Sequence, residues 1–180
     1  MIARARPRRS FCSLLCSVGA AAAVEFGIIM PLILVPLTAG FVEVGRAVQH
    51  HHVLVKSVRD AARFLARVPE DDYPAGMLGA SVCDDDTGIA GQAKDLARYG
   101  KFNPGAGDAL LISYWTSADS ICIQGPTTRA ITLPDTSTTD TEFVQMTVTL
   151  DYDDFGLLSL LDLDGAITFT VAHEERHIGE

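Results

Sequence analysis

The sequence predicts an α+β fold: a long N-terminal transmembrane helix continuing as an amphipathic stalk, then a small domain with an antiparallel sheet. Three observations predict it. From Phe26 to Val42 there are 17 residues without a charge. Directly after them the apolar residues take up a helical period. Beyond Pro69 the chain turns to short runs of Thr, Val, Ile and aromatic residues that alternate with polar ones. Four segments follow: residues 1–20 as a basic leader open to cleavage, 21–45 as the transmembrane helix, 46–68 as the stalk helix, and 69–180 as an extracytoplasmic α+β domain.

The leader carries Arg4, Arg6, Arg8 and Arg9 and no acid. Its "RRSF" is similar to a twin-arginine export signal, and "AAA" after a short apolar stretch is similar to a signal-peptidase site. Cleavage of either kind would leave the long apolar span in place to anchor the product again. That span, counted outward through Ala20 and Val44, has 25 residues containing only Glu25 and Glu43 as charges. At 1.5 Å per residue it is long enough to cross a hydrocarbon core of about 30 Å. A helix apolar all round is rare inside so small a domain, which favours the membrane over a buried core. Pro31 and Pro36 each remove a backbone donor, so a kinked span is expected, as transmembrane helices tolerate. The leader arginines mark the cytoplasmic side. Arg46, Lys56, Arg59 and Arg63 follow the span closely, but Glu43 and Asp60 accompany them and the later cysteines suit an oxidising compartment. The expected location is therefore the bacterial inner membrane, single-pass, with the N-terminus cytoplasmic.

In the stalk, Val48, Val55, Val58, Ala62 and Leu65 are spaced 7, 3, 4 and 3. Lys56, Arg59, Arg63 and Arg67 run down another face at 3, 4 and 4. The pattern predicts one helix from Ala21 to about Val68, roughly 70 Å long, ended by Pro69 and the acidic "EDD". Its apolar stripe requires a partner, either its own domain or another helix.

Residues 70–88 read as a loop and Ala90 to Tyr99 as a short helix closed by Gly100. Strands are predicted at "ALLISYW" (109–115), "ICIQ" (121–124), "RAITL" (129–133), "FVQMTVTLDY" (143–152) and "AITFTVA" (166–172). The segment "PDTSTTDTE" between two of them reads as a polar loop.

Charge and cysteines bound the function further. The chain has 14 basic and 23 acidic residues, net −9, with a mean hydropathy of +0.21. With the four leader arginines set aside, ten basic residues face the 23 acidic ones, a net of −13. So acidic a surface repels phosphates, and nucleic acid is excluded as a partner. Of the four cysteines, Cys12 and Cys16 lie in the leader, while Cys83 and Cys122 lie in the acidic domain. Outside the cytoplasm the second pair can form a disulfide closing a loop of about 40 residues, worth about 3 to 4 kcal/mol if unstrained; two buried free thiols are the alternative.

Catalytic signals are weak. "HEERH" (173–177) matches the H-E-x-x-H pattern of zinc proteases, which works because a helix puts both histidines on one face. Here the preceding "ITFTVA" reads as a strand, and only Ile178, Gly179 and Glu180 follow. "HHH" at 50–52 points its rings about 100° apart and does not converge on a metal. "CDDD" (83–86), "DYDD" (151–154) and "DLDG" (162–165) lack the full spacing of an EF-hand and read as solvated turns. No nucleophile elbow or phosphate-binding glycine loop is visible. We therefore expect no enzyme, no metal and no cofactor.

The block "GAAAVEFGIIMPLILVP...GFVEVGR", followed by "RDAARFLAR" at 59–67, resembles the TadE-like family, minor pseudopilins of the tight-adherence (Tad/Flp) pilus and secretion system. The resemblance is strongest over residues 19–67, with weaker echoes in "VQMTVTLDYDDF" and "AITFTVAHEER". It implies that a membrane-embedded prepilin peptidase removes the leader at Gly19, Ala20 and Ala21, and that Glu25 and Phe26 set assembly and register. It further implies a membrane–stalk motif at Glu43, Gly45 and Arg46, and as partners other pilin-like or Tad assembly membrane proteins, the prepilin peptidase and the lipid bilayer. In this family a glutamate stands at the fifth mature position. Cleavage after Gly19 makes Glu25 sixth; cleavage after Ala20 makes it fifth, with alanine before the cut. Either register, or an uncleaved anchored protein, fits the residues. The rival reading from another class is an anchored extracytoplasmic binding module whose helix is only a tether, and a zinc peptidase is the third.

Overall fold

A computed structural model describes residues 18–74, 76–134, 137–153, 156 and 167–179, with side chains from residue 21. The basic leader through Ser17 and "DLDG" lie outside the described residues. The chain divides into two units, residues 1–44 and 45–180.

Helix α1 runs Val18–Leu65 and contains Pro31 and Pro36 without interruption. In the first unit, Thr38 Oγ1 donates to the carbonyls of Leu34 and Val35 at 2.9 and 3.0 Å, so this hydroxyl needs no water. In the second unit the helix buries Leu54, Val58, Ala61, Ala62 and Leu65, all with zero exposure. The apolar stripe thus finds its partner in its own domain. The buried set differs from the predicted one: Val48 is exposed and Val55 only half-buried, while Leu54 starts the stripe and Ala61 joins it. Lys56, Arg59, Arg63 and Arg67 are exposed, as their spacing predicts.

The helix ends at Leu65, three residues before the predicted Val68. Pro69 disfavours a helical conformation for the residue before it, so the last turn tightens, with Val68 N–H donating to Leu65 O at 3.0 Å. Its orphan carbonyls are taken up by distant groups: Tyr73 Oη donates to Leu65 O at 2.5 Å and Ile178 N–H to Ala66 O at 2.8 Å. The Tyr73 phenol is buried, and burial pushes its pKa up. An unfolded tyrosine ionises from about pH 10 while the folded one holds its proton. This contribution to stability is therefore intact below about pH 10 and is lost as the pH rises toward the folded value, at up to about 1.4 kcal/mol per pH unit. Alkaline denaturation followed by circular dichroism should show this decline, and Tyr73→Phe should flatten it.

After a 3-10 turn at Glu70–Asp72 comes a two-residue strand, β1 (Ser81–Val82), inside the segment read as loop. Helix α2 spans Gly88–Tyr99, and Gly100 closes it with φ 71°, the left-handed conformation that glycine adopts without a Cβ penalty. Strands β2 (Ile121–Thr132), β3 (Thr138–Asp151) and β4 (Thr168–Arg176) complete one sheet of order β1-β2-β3-β4, antiparallel throughout. One face is apolar. Ile121 opposes Val148, Ile123 opposes Met146 and Val148 opposes Val171, and these pairs bury against the helical layer.

Three predicted elements need correction. "ALLISYW" is not a strand: Trp115 N–H donates to Ile112 O at 3.0 Å and Leu111 N–H to Arg98 O at 2.8 Å. Its buried residues are Ile112 and Trp115, three apart, so the segment follows the spacing of a turn rather than the pleat of a sheet. "ICIQ" and "RAITL" are one strand, joined across an irregularity between Gln124 and Thr127 that accommodates Pro126. Gly125 sits there because a Cβ would lie 2.8 Å from the Met77 carbonyl oxygen, to which its own N–H donates at 3.0 Å. "PDTSTTDTE" is mostly strand: Leu133 N–H donates to Ser137 O, and β3 pairs back from Thr138 opposite Thr132. Its threonines carry the strand although Thr138 and Thr139 are both exposed and, of the three, only Thr141 is buried.

Candidate assembly surface on the N-terminal helix

The first unit presents an apolar rod. Val24, Phe26, Ile28, Ile29, Leu32, Ile33, Leu34, Val35 and Leu37 are each more than half exposed. So contiguous an apolar surface on a helix of 48 residues requires lipid or other apolar helices around it. By length and composition, Ala21–Leu65 contains a segment able to cross a membrane. Glu25 is exposed beside Phe26, so the carboxylate stands at the threshold of the rod, free to meet a group from outside the chain. The backbone is already helical at Val18, so the bonds on either side of Ala20 lie within the helix; the side chains of Gly19 and Ala20 are outside the described residues.

At the far end of the rod, Glu43 is 6% exposed, whereas Phe41, Val42 and Val44 are all more than 60% exposed. In the second unit, a Cβ at Gly45 would meet nothing within 4 Å, so no contact within the chain demands glycine there. Arg46 places its guanidinium 5.6 Å from the centre of the Tyr152 ring. One turn later His50 Nδ1 is 2.9 Å from Tyr114 Oη, and the His50 ring lies 5.3 Å from that of Tyr114 and 6.0 Å from that of Tyr152. The His51 ring stacks edge-on to Phe169 at 5.7 Å. His50 thus turns to the tyrosines, whereas His51 meets Phe169 and also lies 6.2 Å from the His52 ring. Tyr, His and Arg gathered where a helix leaves an apolar run are the residue types that settle at a membrane–water interface.

The C-terminal "HEERH" lies on β4 and the residue after it. Strand residues four apart are about 13 Å apart. His173 faces Glu175 at 3.0 Å, and His177 is buried with Nδ1 3.2 Å from Glu142 Oε2 and Nε2 2.8 Å from Val68 O. The two imidazoles thus serve separate structural contacts. Among the described residues no group of three or more His, Cys, Asp or Glu is arranged to hold a metal.

Cys83 and Cys122 are bridged, with Sγ–Sγ 2.08 Å. Cys122 opposes Thr147 on the outer face of the sheet, and Cys83 follows β1 directly, so the bridge ties the edge strand to β2. Lys94, 1% exposed, holds the same loop from inside through Cys83 O and Asp86 Oδ1, the latter at 2.7 Å. This buried lysine had no signal in the sequence, since its partners lie 8 and 11 residues away across a loop.

An exposed apolar rod, one carboxylate at its threshold and an unbroken passage into a stalk describe the N-terminal segment. Residues 20–63 match the TadE-like protein family. The match to TadE-like protein covers about a quarter of the chain and coincides with α1; it does not extend into the sheet. No curated protein and no solved structure matches the chain.

Proposed function

We propose that the protein is a minor pseudopilin-like membrane protein that takes part in assembly of a Tad/Flp-type pilus or the related secretion apparatus, without enzymatic activity. The observation that carries this reading is the TadE-like match over residues 20–63, lying on a helix whose apolar residues are exposed on all sides and whose threshold holds Glu25. A tether needs only apolar residues, whereas a carboxylate at the edge of a span costs stability until it is paired. The leader stays on the cytoplasmic side until a prepilin peptidase removes it, and the acidic domain stands outside. The bridged Cys83–Cys122 pair supports that orientation, because disulfides persist in oxidising compartments. The apolar rod packs with pilin-like helices in the bilayer, and the domain meets partners outside. Deleting the gene should remove surface filaments, and the wild-type chain supplied in trans should restore them. Normal filaments in the deletion strain contradict the proposal.

A further inference from the structure

On the stalk, four exposed cations stand along one face: Lys56, Arg59, Arg63 and Arg67. At 100° per residue the three on the helix, Lys56, Arg59 and Arg63, fall within about 60° of one another, with exposed Asp60 at the flank and Arg67 in the turn after Leu65. Just beyond the stalk, Glu70, Asp71 and Asp72 are exposed on consecutive positions. None of these four cations and three carboxylates has a side-chain ion pair or hydrogen bond among the described residues. In a chain of net −9 this unpaired basic stripe stands out, and a carboxylate surface is its electrostatic complement. An anionic lipid surface would repel Glu70, Asp71 and Asp72, which follow the stripe in the chain, whereas a second copy of the chain offers the complement of both groups.

We propose that the stripe docks a second copy of this chain, with Lys56, Arg59 and Arg63 of one copy facing Glu70, Asp71 and Asp72 of the next. In copies that stand in the same orientation the stripe and the turn lie at different levels, so a two-fold axis along the stalk cannot bring one to the other and the contact is head-to-tail. Contacts of that kind propagate into filaments or rings rather than closing as a two-fold dimer. The neighbour stands displaced along the stalk, since the acidic turn lies beyond the end of the stripe it meets. The inference rests on the assembly reading given above and adds a contact outside the bilayer to it.

The test uses the full chain in native membranes, with two copies carrying different tags. A carbodiimide, which converts a carboxylate to an O-acylisourea whose carbonyl a nearby lysine amine attacks to form an amide and release the urea, is expected to join Lys56 of one copy to Glu70, Asp71 or Asp72 of the other, as read by mass spectrometry. The yield should fall at least tenfold in 1 M salt. It should fall likewise in the variant K56E/R59E/R63E and in the variant E70K/D71K/D72K. Co-expressing the two variants should restore cross-linking between them, both through the native stripe of one with the native turn of the other and through the introduced groups. All six residues are exposed, and an unchanged thermal unfolding transition checks that each variant folds. If the tagged wild-type copies copurify but Lys56 joins no residue of the second copy, or joins only another protein, the stripe contact is wrong and the assembly reading stands. If the copies do not copurify at all, the stripe contact fails, and the assembly reading, which needs only pilin-like neighbours, is decided by the filaments of the deletion strain.

Discussion

Cells carrying Glu25→Ala are expected to lose surface filaments while keeping normal levels of the membrane-anchored protein. The substitution removes a charge from an exposed position on the rod, so insertion and folding of the second unit are untouched. What it removes is a partner. In the proposed reading, leader removal creates an α-amino group five or four residues before the glutamate. The carboxylate can neutralise that amine within one subunit or in its neighbour, offsetting a cost that reaches about 2.5 to 3.5 kcal/mol for an isolated charge deep in a span. A buried polar pair of this kind also fixes axial register, as a single polar residue does in a coiled coil. Alanine leaves the helix competent for the membrane but removes the register. Glu25→Gln should behave like alanine, because it keeps the shape and loses the charge. Filaments counted by electron microscopy, with protein levels from immunoblots, decide the matter; wild-type piliation in both variants would remove Glu25 from the account.

The second large effect concerns the domain. Cys83→Ser is expected to destabilise it by about 3 to 4 kcal/mol, the loop-closure contribution for a bridge spanning about 40 residues. The effect falls on β1, whose two residues pair with Gln124 and Ile123 and have little else to hold them. Cys122→Ser should cost the same, and the double variant no more than either single one, because all three remove one bond. Chemical denaturation of the folded second unit, followed with and without reductant, measures this. Equal midpoints in both conditions would show that the bridge adds nothing to the fold.

Much of the helical half was legible in the sequence because it follows simple periods. A run of 17 uncharged residues has few structural outcomes, and the exposed Lys56, Arg59, Arg63 and Arg67 kept the face their spacing gave them. The antiparallel sheet was legible in the alternation from Phe143 to Tyr152. Less legible was whatever depends on distant partners. "ALLISYW" has the composition of a strand but is held as turns by Arg98 and by its own Ile112. Thr138–Glu142 looks like loop until its pairing with β2 is known. His177 suggests a metal ligand in sequence and instead bonds to the Val68 carbonyl, 109 residues earlier. The surface on which function rests was the part most open to sequence reading, because Glu25 and the rod around it are local features.

The proposed role requires the leader to be removed ahead of the N-terminal helix, and the mature N-terminus reads this directly. Mass spectrometry of the protein recovered from membranes is predicted to find Ala20 or Ala21 as the first residue, with Glu25 sixth or fifth. A chain still beginning at Met1, or one beginning beyond Glu25, would contradict it.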